Sequence, residues 1–96
     1  MIQRFCFVKL LDDEVGTRAE LAEMLHAQLA AAGADVVVGL PADDSAARWD
    51  ISIVITAASL EAWNALAQVP AMTGVFDELA ARSAVVKAWT FEATRD

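Results

Sequence analysis

Arg4 and Cys6 stand two residues apart in a strand-like segment, so both side chains project from one face of it. A guanidinium there can bind a carboxylate or an enolate in a pocket. Its charge can also lower the pKa of a neighbouring thiol toward nucleophilic chemistry. Each idea has a plainer counterpart: Arg4 near a strand end can snorkel to solvent or pair with a structural acid, and a small strand thiol is usually inert core. The plainer readings are favoured, for Arg4 because structural ion pairs account for such a charge equally well, and for Cys6 because no histidine stands nearby as a base. His26, the one histidine of the chain, falls on the flank of a helical stripe and is expected at the surface. One His and one Cys on different elements do not reach the ligand count of a transition-metal site. Asp12-Asp13-Glu14 lacks the spacing of an EF-hand. No metal, no cofactor and no catalytic residue is therefore assigned.

Apolar side chains offer a second kind of chemistry. Trp63, Met72 and Phe76 can line a hydrophobic cavity; Val8 extends the row of Arg4 and Cys6, and Leu66 shares the helical face of Trp63. These residues are the ligand-pocket candidates, although helical spacing is first a burial signal and core packing explains the same positions. The first strand is apolar on its other face too, with Phe5 and Phe7 opposite Ile2, Cys6, Val8 and Leu10. A chain of 96 residues can cover one face with its own helices. The second face calls for another molecule.

The elements that position these residues follow from periodicity. After the first strand and an acidic break at residues 12–16, Thr17 and Glu20 form a Thr-x-x-Glu capping box for a helix running to about Ala32. Its stripe is Leu21, Met24, Leu25, Gln28 and Leu29, and Gly33 stops it. Asp35 to Leu40 is a β-branched strand ended by Pro41, and residues 41–48 form a polar surface loop, the one most expected to move. Trp49 to Thr56 alternates, which puts Trp49, Ile51, Ile53 and Ile55 on one face. Ser59 caps a second helix with Leu60, Trp63, Leu66 and Ala67 on one side, and Pro70 breaks it near Val69. Met72, Val75, Phe76 and Leu79 mark the second half. The last strand, Ala84 to Glu92, repeats the two-faced pattern with Trp89 and Phe91, and Ala93 to Asp96 should fray.

This order, β-α-β-β-α-β, is the ferredoxin-like α+β plan: a four-stranded antiparallel sheet with helices on one face, in a single domain over residues 1–96. Phe5, Phe7, Trp89 and Phe91 then lie on the open face and Lys9 and Lys87 at its rim, which makes these six residues the dimer-interface candidates. Composition agrees. The chain is 57% hydrophobic and 22% charged, more apolar than an ordinary soluble monomer. Fourteen acidic against seven basic residues give a net charge of −7, which argues against nucleic acid as a partner. No apolar run approaches the roughly 18 residues of a membrane span. Arg4 and Lys9 interrupt the first apolar run, unlike a signal peptide, and a single cysteine allows no internal disulfide, so a cytoplasmic location is expected.

The segment Phe5-Cys6-Phe7-Val8-Lys9-Leu10-Leu11-Asp12 and the broken helix around Val69-Pro70-Ala71-Met72, ahead of Val75-Phe76-Asp77-Glu78-Leu79, resemble the stress-responsive A/B barrel (Dabb) family of dimeric α+β barrels. The resemblance spans nearly the whole chain. It implies a homodimer closed through the open sheet faces, and a cavity between sheet and helices for a small apolar or aromatic ligand. Family members often carry His-Pro-any-His at the break, and the plant polyketide cyclases use that second histidine with another on the first strand to move protons. Those two positions are Met72 and Arg4 in this chain. Neither side chain can serve as a general base. The resemblance thus implies a binding or structural role, with a polyketide-cyclase-like or monooxygenase-like enzyme acting on an aromatic metabolite as the alternative.

Overall fold

Alternating side chains build the sheet. In the computed structural model, which describes residues 1–94, β1 spans Ile2–Leu10, β2 Asp35–Gly39, β3 Ile51–Ala57 and β4 Ser83–Glu92. All pairings are antiparallel in the order β2-β3-β1-β4, so β1 and β3 are central and β4 is an edge. Helices α1 (Arg18–Ala31), α2 (Leu60–Ala67) and α3 (Pro70–Ala81) cover one face. The fold is ferredoxin-like α+β. Its core joins Ile2, Cys6, Val8 and Leu10 of β1 and Ile51, Ile53 and Ile55 of β3 to Leu21, Leu25 and Leu29 of α1 and Met72, Val75 and Leu79 of α3.

Local signals set the helix ends. Gly33, at φ 105°, closes α1 in a Schellman turn: its N–H donates to Ala30 O and that of Ala34 to Leu29 O, both at 3.0 Å. Ser59 Oγ accepts the Ala62 N–H at 3.0 Å and caps α2. Pro70 occupies the first turn of α3, where its missing donor costs nothing, and Val69 before it is extended. The broken helix falls where the proline predicts.

Four local expectations are corrected. Thr17 does not cap α1 through its side chain; its hydroxyl turns back to donate to Glu14 O at 2.8 Å, inside a 3₁₀ turn that occupies the acidic break, Asp12–Thr17. Glu14 in turn accepts from Arg82 at 2.8 and 2.9 Å, which ties the turn to the end of α3. Gln28 is exposed, and Ala22 takes a place in the buried stripe of α1. Trp49 leaves the Ile51 face and packs on Phe7, with ring centroids 5.8 Å apart, because β3 starts only at Ile51. Ahead of it Asp50 is held by β1: its N–H donates to Val8 O at 2.8 Å and its Oδ2 accepts the Leu10 N–H at 2.8 Å, so strand parity does not reach Trp49. Ala93 is anchored, its N–H donating to Met1 O at 2.9 Å; Arg95 and Asp96, the rest of the end expected to fray, lie outside the described residues.

Candidate functional site

Arg4 interrupts an otherwise apolar row. It points to the helix side between Ile2 and Cys6, both buried, and opposite Ile55 on β3 and Thr90 on β4. Its Nη1 donates to Thr90 Oγ1 at 2.9 Å, and its guanidinium carbon lies 5.6 Å from the Trp63 ring centroid. No carboxylate pairs with it among the described residues. The structural-acid partner anticipated for Arg4 is therefore not found. Arg18 and Arg82, by contrast, end on Asp50 at 3.3 Å and Glu14 at 2.8 Å.

Beside Arg4 opens a cavity of about 330 Å³ between β1, β4 and the helices α2 and α3. Arg4, Cys6 and Ile55 form its floor, Trp63 and Ala67 come from α2, Met72, Thr73, Phe76 and Asp77 from α3, and Val86 and Ala88 from β4. The cavity exists because the helices stop short of the edge strand, leaving Val86 and Ala88 exposed on their side of the sheet. The structure brings Arg4, Cys6, Trp63, Met72 and Phe76 together here. Val8 does not line the cavity and is fully buried in the core, and Leu66 lies against the Gly33 turn instead. Burial pushes the Cys6 thiol up to about 11, against a smaller lowering by Arg4. The thiol is neutral at physiological pH, so the nucleophile suggested by its neighbour is not formed.

Asp77, Thr73, Val86 and Ala88 were not legible as lining residues. Asp77 and Thr73 are exposed positions four apart on α3, and helical spacing alone marks them as solvent-facing. The signal that finds them is proximity to Met72 and Phe76 once β4 is known to be the uncovered edge.

On the opposite sheet face the aromatic rings form a connected row. Phe5 and Phe91 meet edge to face at 5.7 Å, and Phe7 lies 5.9 Å from Trp89. Trp89 is 45% and Phe91 56% exposed, and no element among the described residues covers them. Lys9 and Lys87 join Arg48, Trp49 and Trp89 around a hollow at one end of this face. His26 is exposed on α1, away from both. Among the described residues no helix is long and apolar enough to cross a membrane.

Known structures share the fold. A dimeric ferredoxin-like protein of unknown function from Thermobifida fusca superposes with a TM-score of 0.81 at 16% identity, over 96% of this chain and 90% of that one. A protein of Arabidopsis thaliana gives 0.81 at 14% identity, over 100% and 98%. SnoaB, a cofactor-independent oxygenase of Streptomyces nogalater, gives 0.74 at 16% identity, over 99% and 94%. At these identities the likeness establishes the fold. No protein-family model and no curated protein matches the sequence.

Proposed function

We propose that this protein is a homodimeric, Dabb-like α+β barrel whose role is to bind a small apolar or aromatic molecule between sheet and helices. The observation that carries the reading is the uncovered aromatic row. Phe5, Phe7, Trp89 and Phe91 form a continuous apolar surface, rimmed by Lys9 and Lys87, of the kind that a second copy buries. Structural neighbours described as dimeric support it. The cavity beside Arg4 lies near the small end of the roughly 300–1,000 Å³ range of ligand sites and is walled mainly by apolar side chains, which supports the binding role. The cytoplasm is the proposed setting, since a reducing compartment keeps the free Cys6 thiol intact. Sedimentation velocity and native mass spectrometry of the purified protein test the reading. A dimer that carries a small-molecule adduct is expected, and a monomer at micromolar concentration overturns it.

Enzymatic action on an aromatic metabolite is the second reading, favoured by the fold likeness to a cofactor-independent oxygenase. The cavity wall has no imidazole, and the raised thiol of Cys6 is a poor base at neutral pH. Proton removal would then fall to Asp77 at the mouth. Turnover of an aromatic substrate that disappears with Asp77→Asn would favour this reading over binding alone.

A further inference from the structure

Resting on the cavity reading above, we propose that the ligand is a small aromatic or otherwise apolar monocarboxylate whose carboxylate is held by Arg4.

Arg4 carries a permanent charge on the wall of a mostly apolar cavity, where water screens it less than at an open surface. Its two protein contacts, Thr90 Oγ1 and the Trp63 ring, are both neutral. They hold the guanidinium in place without cancelling its charge. Arg18 and Arg82 show the contrast within the same fold, each meeting a carboxylate. A guanidinium held in position by neutral groups, with its remaining N–H groups free of protein acceptors among the described residues, offers an incoming carboxylate a paired hydrogen-bond geometry.

The walls define the rest of the ligand. Cys6, Ile55, Trp63, Met72 and Phe76 supply apolar and aromatic surface, and about 330 Å³ suits one or two fused rings rather than a long chain. Asp77 lines the same cavity but forms no ion pair with Arg4. Its carboxylate, together with a net charge of −7, disfavours phosphates and dicarboxylates, which bring a second negative charge past the mouth. A single negative charge on a planar apolar body satisfies Arg4 with the least repulsion from Asp77.

The test uses two probes of nearly equal size and shape on the intact protein, 2-naphthoate and the neutral 2-acetylnaphthalene, with binding measured by calorimetry at pH 7. Wild-type protein should bind 2-naphthoate at least about tenfold more tightly, the scale of a charge-assisted hydrogen bond. Arg4→Gln should bring the two affinities to within about threefold, with the far-ultraviolet circular dichroism spectrum unchanged. Arg4→Lys, which keeps the charge but loses the fork, should restore part of the preference. Equal binding of the two probes by wild-type protein overturns the proposal and leaves the cavity reading standing; that comparison requires no variant to fold. A preference that persists in folded Arg4→Gln also overturns it. Binding of neither probe at millimolar concentration overturns the cavity reading along with it.

Discussion

Trp89→Ala is the substitution that most directly tests the proposed dimer. Trp89 lies on β4 opposite Phe5, packs on Phe7 at 5.9 Å and leaves 45% of its surface exposed. Taking about 200–250 Å² for a large aromatic side chain, this exposed share is about 100 Å². At about 25 cal/mol per Å², covering it contributes about 2.5 kcal/mol per protomer. A two-fold axis counts the site twice, so the dimer loses about 5 kcal/mol, and its Kd rises by roughly three to four orders of magnitude. Sedimentation velocity from nanomolar to high micromolar concentration reads the change directly. Leu60→Ala is the control, because Leu60 is a comparably exposed apolar residue that sits on α2 instead of the aromatic row. A Kd for Trp89→Ala within about threefold of wild type, or one matched by Leu60→Ala, refutes the assignment of this face to the interface. Trp89→Asp should go further and give a monomer, since pairing would bury an uncompensated carboxylate.

Three further outcomes are expected. The Cys6 thiol sits at about 11 in the folded chain against an ordinary 9.0, so the unfolded state is the stronger acid. The thiol's contribution to folding stability should be fully present below pH 9 and fall by up to about 2–3 kcal/mol between pH 9 and 11; denaturant titrations of Cys6→Ala without that alkaline loss would support this, and an identical loss would contradict it. Asp50→Ala strands the Leu10 N–H and frees Arg18, and should cost about 2–3 kcal/mol, lowering Tm by about 10 °C or more. An unchanged melting curve would show that water replaces the carboxylate at no cost. Gly33→Ala forces a Cβ into a φ of 105° and should destabilise by about 1–2 kcal/mol, although the nearest side-chain atom, on Leu66, leaves room at 3.9 Å. Chemical denaturation with no shift in midpoint would refute the strain.

Period and punctuation carried most of the fold. The alternation in β1 and β3, the 3.6-residue spacing of Leu21, Leu25 and Leu29, Gly33 at a positive φ and Pro70 at a helix start are local signals, legible before any tertiary contact is known. The misreadings arise where distant residues outcompete the local signal. Thr17 carries a capping motif, yet its hydroxyl stays with Glu14, which Arg82 anchors from the far end of α3. Asp50 reads as an ordinary strand residue, while its partners lie on β1 and at the start of α1. For the candidate site, parity put Arg4 and Cys6 on the helix side correctly. Parity could not tell that the same row would be sealed at Val8 and open at Arg4, because that depends on where α2 and α3 end relative to β4.

The edge position of β4 has a bearing on how the folded chain stays free of aggregation. Ten residues long and fastened to the sheet along one side, this strand presents unpaired backbone groups together with exposed Val86, Trp89 and Phe91. Such an edge is a template for strand addition by any other chain that offers a free backbone. From Ser83 through Phe91, Lys87 is the one charged residue. It acts as a gatekeeper, since a strand laid alongside would bring its own side chains against that ammonium. While this edge stays uncovered, a single lysine is the main charge opposing strand addition along it, so Lys87→Val should raise the tendency to aggregate as concentration increases.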